Sequence, residues 1–255
     1  ARARSARSQM ISSVLRWLSP AGLQARLSIL IFHRVLPKAD PLFPAEVDAF
    51  AFGTICGWLA AWFNVLPLDE AVRRLEEGSL PERALSITFD DGYADNHDVA
   101  LPLLRRHGLT ATFFIATGFL DGGRMWNDTA IESIRRTSLR QIDLRGIRGI
   151  DLEGAPVDSI SAKRVMIERV IGATKYMEPT RRQAVVDTIA DRAEAPLPDD
   201  LMMTSDQVRA LRAAGMQIGA HTESHPILAR LDRAAARREI EHSKHVLEAL
   251  IGEPV

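Results

Sequence analysis

Two short stretches carry most of the reactive side chains. The first is Thr88-Phe89-Asp90-Asp91-Gly92-Tyr93, which closes the apolar run Ala84–Phe89. Two carboxylates at the end of an apolar strand are costly to bury unless they are paired, hydrogen-bonded or bound to metal. Neighbouring residues point different ways, so one carboxylate can bind an ion while the other accepts a proton. Gly92 allows a sharp turn behind them. The plainer alternative is a helix-capping carboxylate beside a solvated one. The second stretch is His221-Thr222-Glu223-Ser224-His225-Pro226. Imidazoles at i and i+4 share a face if the segment takes a helical turn, and both then reach one ion. Pro226 limits such a turn. The alternative is two unrelated surface histidines.

Taken together, the two stretches are more specific than either alone. Both follow apolar runs read as parallel strands, on the rim where α/β barrels keep catalytic groups. Two histidines and a carboxylate form a facial set with open positions. A divalent ion held there acidifies water and polarises a carbonyl, and the second carboxylate can take the proton.

The elements that position these groups alternate. Residues 27–32 read as a strand ending at His33, followed by a helix over 46–63. Residues 64–66 read as a second strand, and a helix over 68–77 carries Asp69 and Glu70 in its first turn, with Gly78 as its stop. Ala84–Phe89 is the third strand. A helix over 96–107 stops at Gly108, and residues 110–116 form the fourth strand. Strands alternating with helices imply a parallel sheet. The alternation then fails. Residues 121–128 form a loop carrying Trp126, and a largely helical insertion over about 129–204 contains the Gly-rich stretch 145–154. It resumes with a helix capped by Ser205, the strand Gln217–Ala220 and a charged helix over 232–250.

At this point the chain resembles the polysaccharide deacetylases, also called NodB-homology proteins or family-four carbohydrate esterases. TFDDGY and HTESHP are similar to that family's first two motifs, and LPLLRRHGLTATFFI to the helix and strand between them. The resemblance implies a distorted (β/α) barrel over 27–255, preceded by an extension over 1–26. It implies a hydrolase that removes N- or O-acetyl groups from amino sugars or other glycans, such as a bacterial exopolysaccharide or a lipid-linked sugar. Residue by residue, Asp90 matches the base, Asp91 the metal-binding aspartate, and His221 and His225 the metal histidines. The cofactor implied is one divalent ion, zinc first. The family's third motif and the histidine that serves as general acid are expected beyond Val255, so the barrel is read as incomplete. Rival readings are a same-fold hydrolase of a non-sugar amide and a silent metal- or glycan-binding module.

Residues of second rank follow. His33, in a segment similar to family members with a Tyr/Phe-His-Arg-Val start, lies on the same rim, either at the substrate cleft or as a satisfied rim histidine. Tyr93 either contacts substrate or packs beside Gly92. Trp126 either stacks on a sugar or packs its loop. Thr222 and Ser224 are expected to orient the histidine turn. His97 and His107 are read as non-ligands, and His242 and His245 as part of a solvated helix face. The basic run Arg135, Arg136, Arg140, Arg145 and Arg148 either attracts acidic glycan or lipid headgroups or is a solvated surface of the insertion.

Composition sets the background. Apolar residues make up 46% of the 255, charged residues 25%, and the formal net charge is −1. That balance gives no global field for nucleic acid or an anionic membrane, so no nucleic-acid partner is expected and any charged partner must be recognised locally. The single cysteine, Cys56, rules out an internal disulfide and reads as a buried thiol. The arginine-rich N-terminus looks like the charged end of a signal peptide, but no apolar core and cleavage site follow. No run of about 18 apolar residues signals a transmembrane helix.

Overall fold

The apolar runs assemble into a five-stranded sheet whose pairings are all parallel. The computed structural model describes residues 2–255, with side chains from Met10 onward, so Arg2, Arg4 and Arg7 of the basic N-terminus lie outside the described side chains. Strand order is β1 (Ser28–Phe32), β3 (Ala84–Phe89), β4 (Thr112–Ile115) and β7 (Gln217–Ala220), with the short β2 (Asn64–Val65) beside the start of β3. Among the described residues no pairing joins β1 to β7, so the sheet is open. This is an α/β arrangement of the distorted-barrel type, not a closed ring.

Helices occupy the crossovers, as parallel pairing requires. They are α2 (Ala49–Trp62), α3 (Leu68–Glu76) and α4 (Leu101–Arg106), then α8 (Ser205–Ala213) before β7 and α9 (Arg233–Ile251) after it. α1 (Arg2–Leu18) precedes β1. The helix expected from residue 46 starts at Ala49, because Asp48 caps it by accepting from the Ala51 amide. The cap expected at Ser205 belongs instead to Thr204, which forms a reciprocal capping box with Gln207. The helix expected over 96–107 opens with a π-helical turn, Asn96–Ala100, before α4.

β3 is central and buried along its whole length. Leu85, Ile87 and Phe89 face the helices and pack with Phe52, Leu104, Phe113 and Leu211. The Phe89 and Phe113 rings stack at 4.7 Å. Each such side chain contributes about 1.5–3 kcal/mol on burial, so the strand that carries the two aspartates is fixed by the densest part of the core. The opposite face of the sheet is mixed: Ser86 donates to the Leu66 carbonyl and Thr112 to Gln217 Oε1, while Ile29 and Ile31 stand exposed on it.

A second compact unit comprises Asp40–Pro44 with Gly122–Met202. It holds α5 (Trp126–Arg136), α6 (Ile160–Thr174) and α7 (Pro179–Ala193). Its core includes Ile134, Ile142, Met166, Val170, Val186 and Ile189. The Gly-rich stretch frames an antiparallel pair not foreseen from sequence, β5 (Gln141–Ile142) with β6 (Ala155–Pro156). Residues 40–44 join this unit through Arg135, which pairs with Asp40 at 2.7 Å, and Arg164, which donates to the Pro41 and Leu42 carbonyls.

Candidate metal centre

Asp90 and Asp91 leave β3 at its C-terminal end. The Asp90 amide still donates to Phe32 of β1 at 2.9 Å, so the strand holds its register up to the turn. The backbone then reverses through left-handed conformations at Asp91 (φ 77°) and Gly92 (φ 90°). Gly92 is required here: a Cβ in its place would meet Ile115 Cγ2 at 3.1 Å. Main-chain bonds lock the turn. Ala116 donates to the Asp91 carbonyl, Met203 to that of Gly92, and Gly92 to that of Asp90.

The histidine turn leaves β7 beside it, where the His221 amide donates to the Ile115 carbonyl at 2.9 Å. The expected helical turn is not formed. Residues 221–226 run as a bend, with Thr222 at φ 67° and His225 at φ 51°. Pro226 disfavours the helical region at His225, and the left-handed conformation there brings the two rings together instead. Their centroids are 5.0 Å apart. Of six non-glycine residues with positive φ among the described residues, three lie in these two turns. Strain of this kind, about 1–3 kcal/mol per residue, persists where the surroundings over-determine it.

One brace of this turn comes from a distant helix. Glu239, on α9, accepts the Glu223 and Ser224 amides on Oε2 at 2.9 Å each, and the Ser224 hydroxyl on Oε1 at 2.6 Å. Ser224 thus orients the turn as expected, but Thr222 does so only through its backbone. Its carbonyl accepts from Thr117, and its buried hydroxyl has no hydrogen-bond partner. The turn also lies against Gly118, whose amide donates to the Glu223 carbonyl at 2.9 Å; a Cβ there would come within 2.7 Å of that oxygen.

These turns bring Asp91 Oδ1 to 3.5 Å from His221 Nε2 and 3.3 Å from His225 Nε2. The three ligand-capable atoms lie within 4.8 Å of one another, the one such group of three found among the described residues. Asp91 is 6% exposed, and its Oδ1 is buried with no hydrogen-bond partner. An unsatisfied buried carboxylate oxygen is expensive. Its orientation toward two imidazole nitrogens is that of a ligand. Donors about 2.0–2.1 Å from a tetrahedral ion stand roughly 3.4 Å apart, so the spacing, the burial and the donor chemistry fit a divalent first-row ion. Burial pushes His225 below the ordinary imidazole range, with Asp91 opposing the shift. That favours the neutral ring a metal needs.

Asp90 stands next to this group. Burial raises its carboxyl above the usual range, while His221 and then His33 pull it down and Asp91 adds to the rise. His33 therefore lies close enough to act on the pair, and its side chain is exposed at the rim. Two expected contacts are otherwise engaged. Tyr93 is 4% exposed, with the Arg34 guanidinium 4.5 Å over its ring, so it packs beside Gly92. Trp126 packs on the core of the second unit, with Arg182 4.5 Å over its ring.

A further buried cluster escaped the sequence reading. Asp95 accepts from Arg34 Nε at 2.8 Å and from the Val35 amide, while Asn96 donates to the His33 carbonyl. This ties the His33 segment to the residues that follow the aspartate turn.

The fold and these two motifs define the class: the chain belongs to the polysaccharide deacetylase family, whose model matches residues 77–147 and 165–255. Members of that family are hydrolases of non-peptide amide bonds and use a divalent metal. Among curated proteins, YxkH of Bacillus subtilis, provisionally named a polysaccharide deacetylase, is 29% identical over 93 residues, 36% of this chain and 32% of that protein. The chain thus aligns with about a third of that relative's length. Among solved structures, the deacetylase PplD of Streptococcus pyogenes, in complex with acetate, superposes with a TM-score of 0.55 at 17% identity, covering 90% of this chain and 70% of its own. IcaB of Ammonifex degensii gives 0.50 at 15% identity, covering 93% and 72%. At these identities the likeness establishes the fold.

Proposed function

We propose that the chain is a metal-dependent deacetylase of an acetylated glycan, with Asp91, His221 and His225 holding one divalent ion, zinc first, and Asp90 as base. The observation that carries this reading is the buried, unpartnered Oδ1 of Asp91 facing two imidazole nitrogens, with a second carboxylate adjacent. Family membership supports the sugar polymer as substrate, and the YxkH name points the same way.

A bound ion would supply polarisation of the acyl oxygen and a more acidic water. The chain's own residues supply the base and the positioning. Asp90 accepts the proton of the attacking water, and its raised pKa brings it nearer working pH, as efficient general bases require. Main-chain bonds hold Asp91 in place, and Glu239 holds the histidine turn. His33, on the exposed rim, is positioned to meet the sugar.

The test is acetate release by the full chain, stripped with chelator and reloaded with zinc, on chitin oligomers, acetylated glucosamine polymer and cyclic amides. Release from an acetylated glycan is expected, with Asp90→Asn retaining metal and losing about 10²–10⁴-fold in rate. Release from cyclic amides alone, or full activity in Asp90→Asn, would refute the reading.

A further inference from the structure

Two helices near the N-terminus present apolar side chains on a surface that neither the sheet nor the candidate metal centre uses. Along α1, Met10, Val14 and Trp17 recur at i, i+4 and i+7 and all project into solvent, Trp17 at 81% exposure. Leu23, just beyond, is 94% exposed. α2 contains no charged residue in its 14 positions. Its inner face, Phe52, Cys56 and Leu59, is buried in the core. Its outer face carries Phe50 at 86% and Trp58 at 51% exposure, the latter stacked on Trp62. A helix at an ordinary protein surface presents charge outward. Here both faces of α2 are apolar.

The two helices are joined where they end. Arg83 donates its amide to the Ser19 carbonyl and its guanidinium to the Trp62 carbonyl, and Arg16 pairs with the adjacent Glu82 at 2.9 Å. The ends of α1 and α2 are therefore both pinned to Arg83.

Charge identifies what covers this surface. The first acidic residue in the chain is Asp40, and six arginines and one lysine precede it. The remaining residues carry 25 basic against 33 acidic groups, so the net charge of −1 conceals a strongly cationic N-terminal segment. A second copy would bring one cationic segment against another, which disfavours symmetric self-pairing. A fluid anionic surface satisfies both features, because tryptophan and phenylalanine enter the headgroup boundary while arginines meet phosphate. Among the described residues no helix is long and apolar enough to cross a membrane, so the contact would be peripheral.

We propose that α1 and the outer face of α2 form a docking surface for an anionic lipid bilayer. The test is flotation of the full chain with vesicles of phosphatidylcholine alone, or with about 30% phosphatidylglycerol, at low and high salt. The anionic vesicles are expected to carry the protein at low salt, with blue-shifted tryptophan emission, and to release it at about 0.5 M salt. Trp17→Ser combined with Met10→Ser should raise the lipid needed for half-binding about tenfold with an unchanged circular dichroism spectrum. Phe50→Ser alone should raise it less. Asp91→Asn should float like the parent, which separates this surface from the candidate metal centre. The proposal is overturned by no flotation with anionic vesicles, by flotation unaffected by the double substitution, or by binding to soluble polyglutamate as tight as to lipid and indifferent to Trp17→Ser, which would indicate an acidic protein partner. A dimer dissociated by Trp17→Ser, without vesicle binding, would overturn it in favour of self-association.

Discussion

The aspartate turn after β3 and the histidine turn after β7 deliver ligand-capable atoms to one point by opposite means. The first is built from its own backbone. Four main-chain bonds and a glycine with no room for a Cβ fix Asp91, and the strand beneath is wholly buried. The second is held by a side chain from elsewhere, the Glu239 carboxylate, which gathers two amides and a hydroxyl from 15 and 16 residues away. A turn locked by its own backbone tolerates few substitutions. A turn gripped by one partly exposed carboxylate can be loosened without unfolding the protein.

Substitutions can break each arm of this contrast separately. The largest effect is expected from Gly92→Val, which places a β-branched side chain at φ 90° and 3.1 Å from Ile115. It should cost about 3 kcal/mol or more, read as a lowered urea midpoint, and remove metal binding with it. Glu239→Ala should act on the histidine turn alone. Metal affinity should fall about 10–100-fold while the urea midpoint moves much less, as competition with a chelating dye would measure. A midpoint shift as large as that of Gly92→Val would erase the distinction.

Asp121 provides a side-chain clamp away from the ligands. It accepts the Ser205 hydroxyl and amide, and these bonds hold its carboxyl below the usual range. A depressed pKa stabilises the fold at pH above the ordinary carboxylate value, and that contribution is lost as pH falls through the folded pKa. Asp121→Asn should therefore lower stability at neutral pH by about 0.5–1 kcal/mol, less as pH falls into the acid range, without changing metal affinity. The smallest effect concerns Cys56, whose thiol burial pushes up to about 11. It should resist thiol reagents at pH 8 in the native protein and react fully in denaturant.

The same contrast explains what could be read from the sequence. β3 and β7 were legible because uninterrupted apolar runs with polar stops mark buried strands, and the residues that stop them are the chemical ones. Ser205 reads as the cap, although Thr204 with Gln207 three residues on carries the capping signature and forms the cap. The β5–β6 pair is two residues per strand, too short for any periodicity to register. The π turn at Asn96 coincides with a side-chain bond to the His33 carbonyl, 63 residues earlier, a partner no local pattern encodes. Glu239 sits among the charges of α9, where nothing distinguishes a clamp from a solvated carboxylate. The whole-chain charge describes no single region: its near-neutrality averages a cationic segment against an acidic remainder.

The most direct measurement is metal content by mass spectrometry on the purified chain and two variants after equilibration with limiting zinc. The account predicts about one ion per chain for the parent and for Asp90→Asn, and little for Asp91→Asn. Equal retention by Asp91→Asn, or loss of metal from Asp90→Asn to the same degree, would contradict the division of work between the two aspartates.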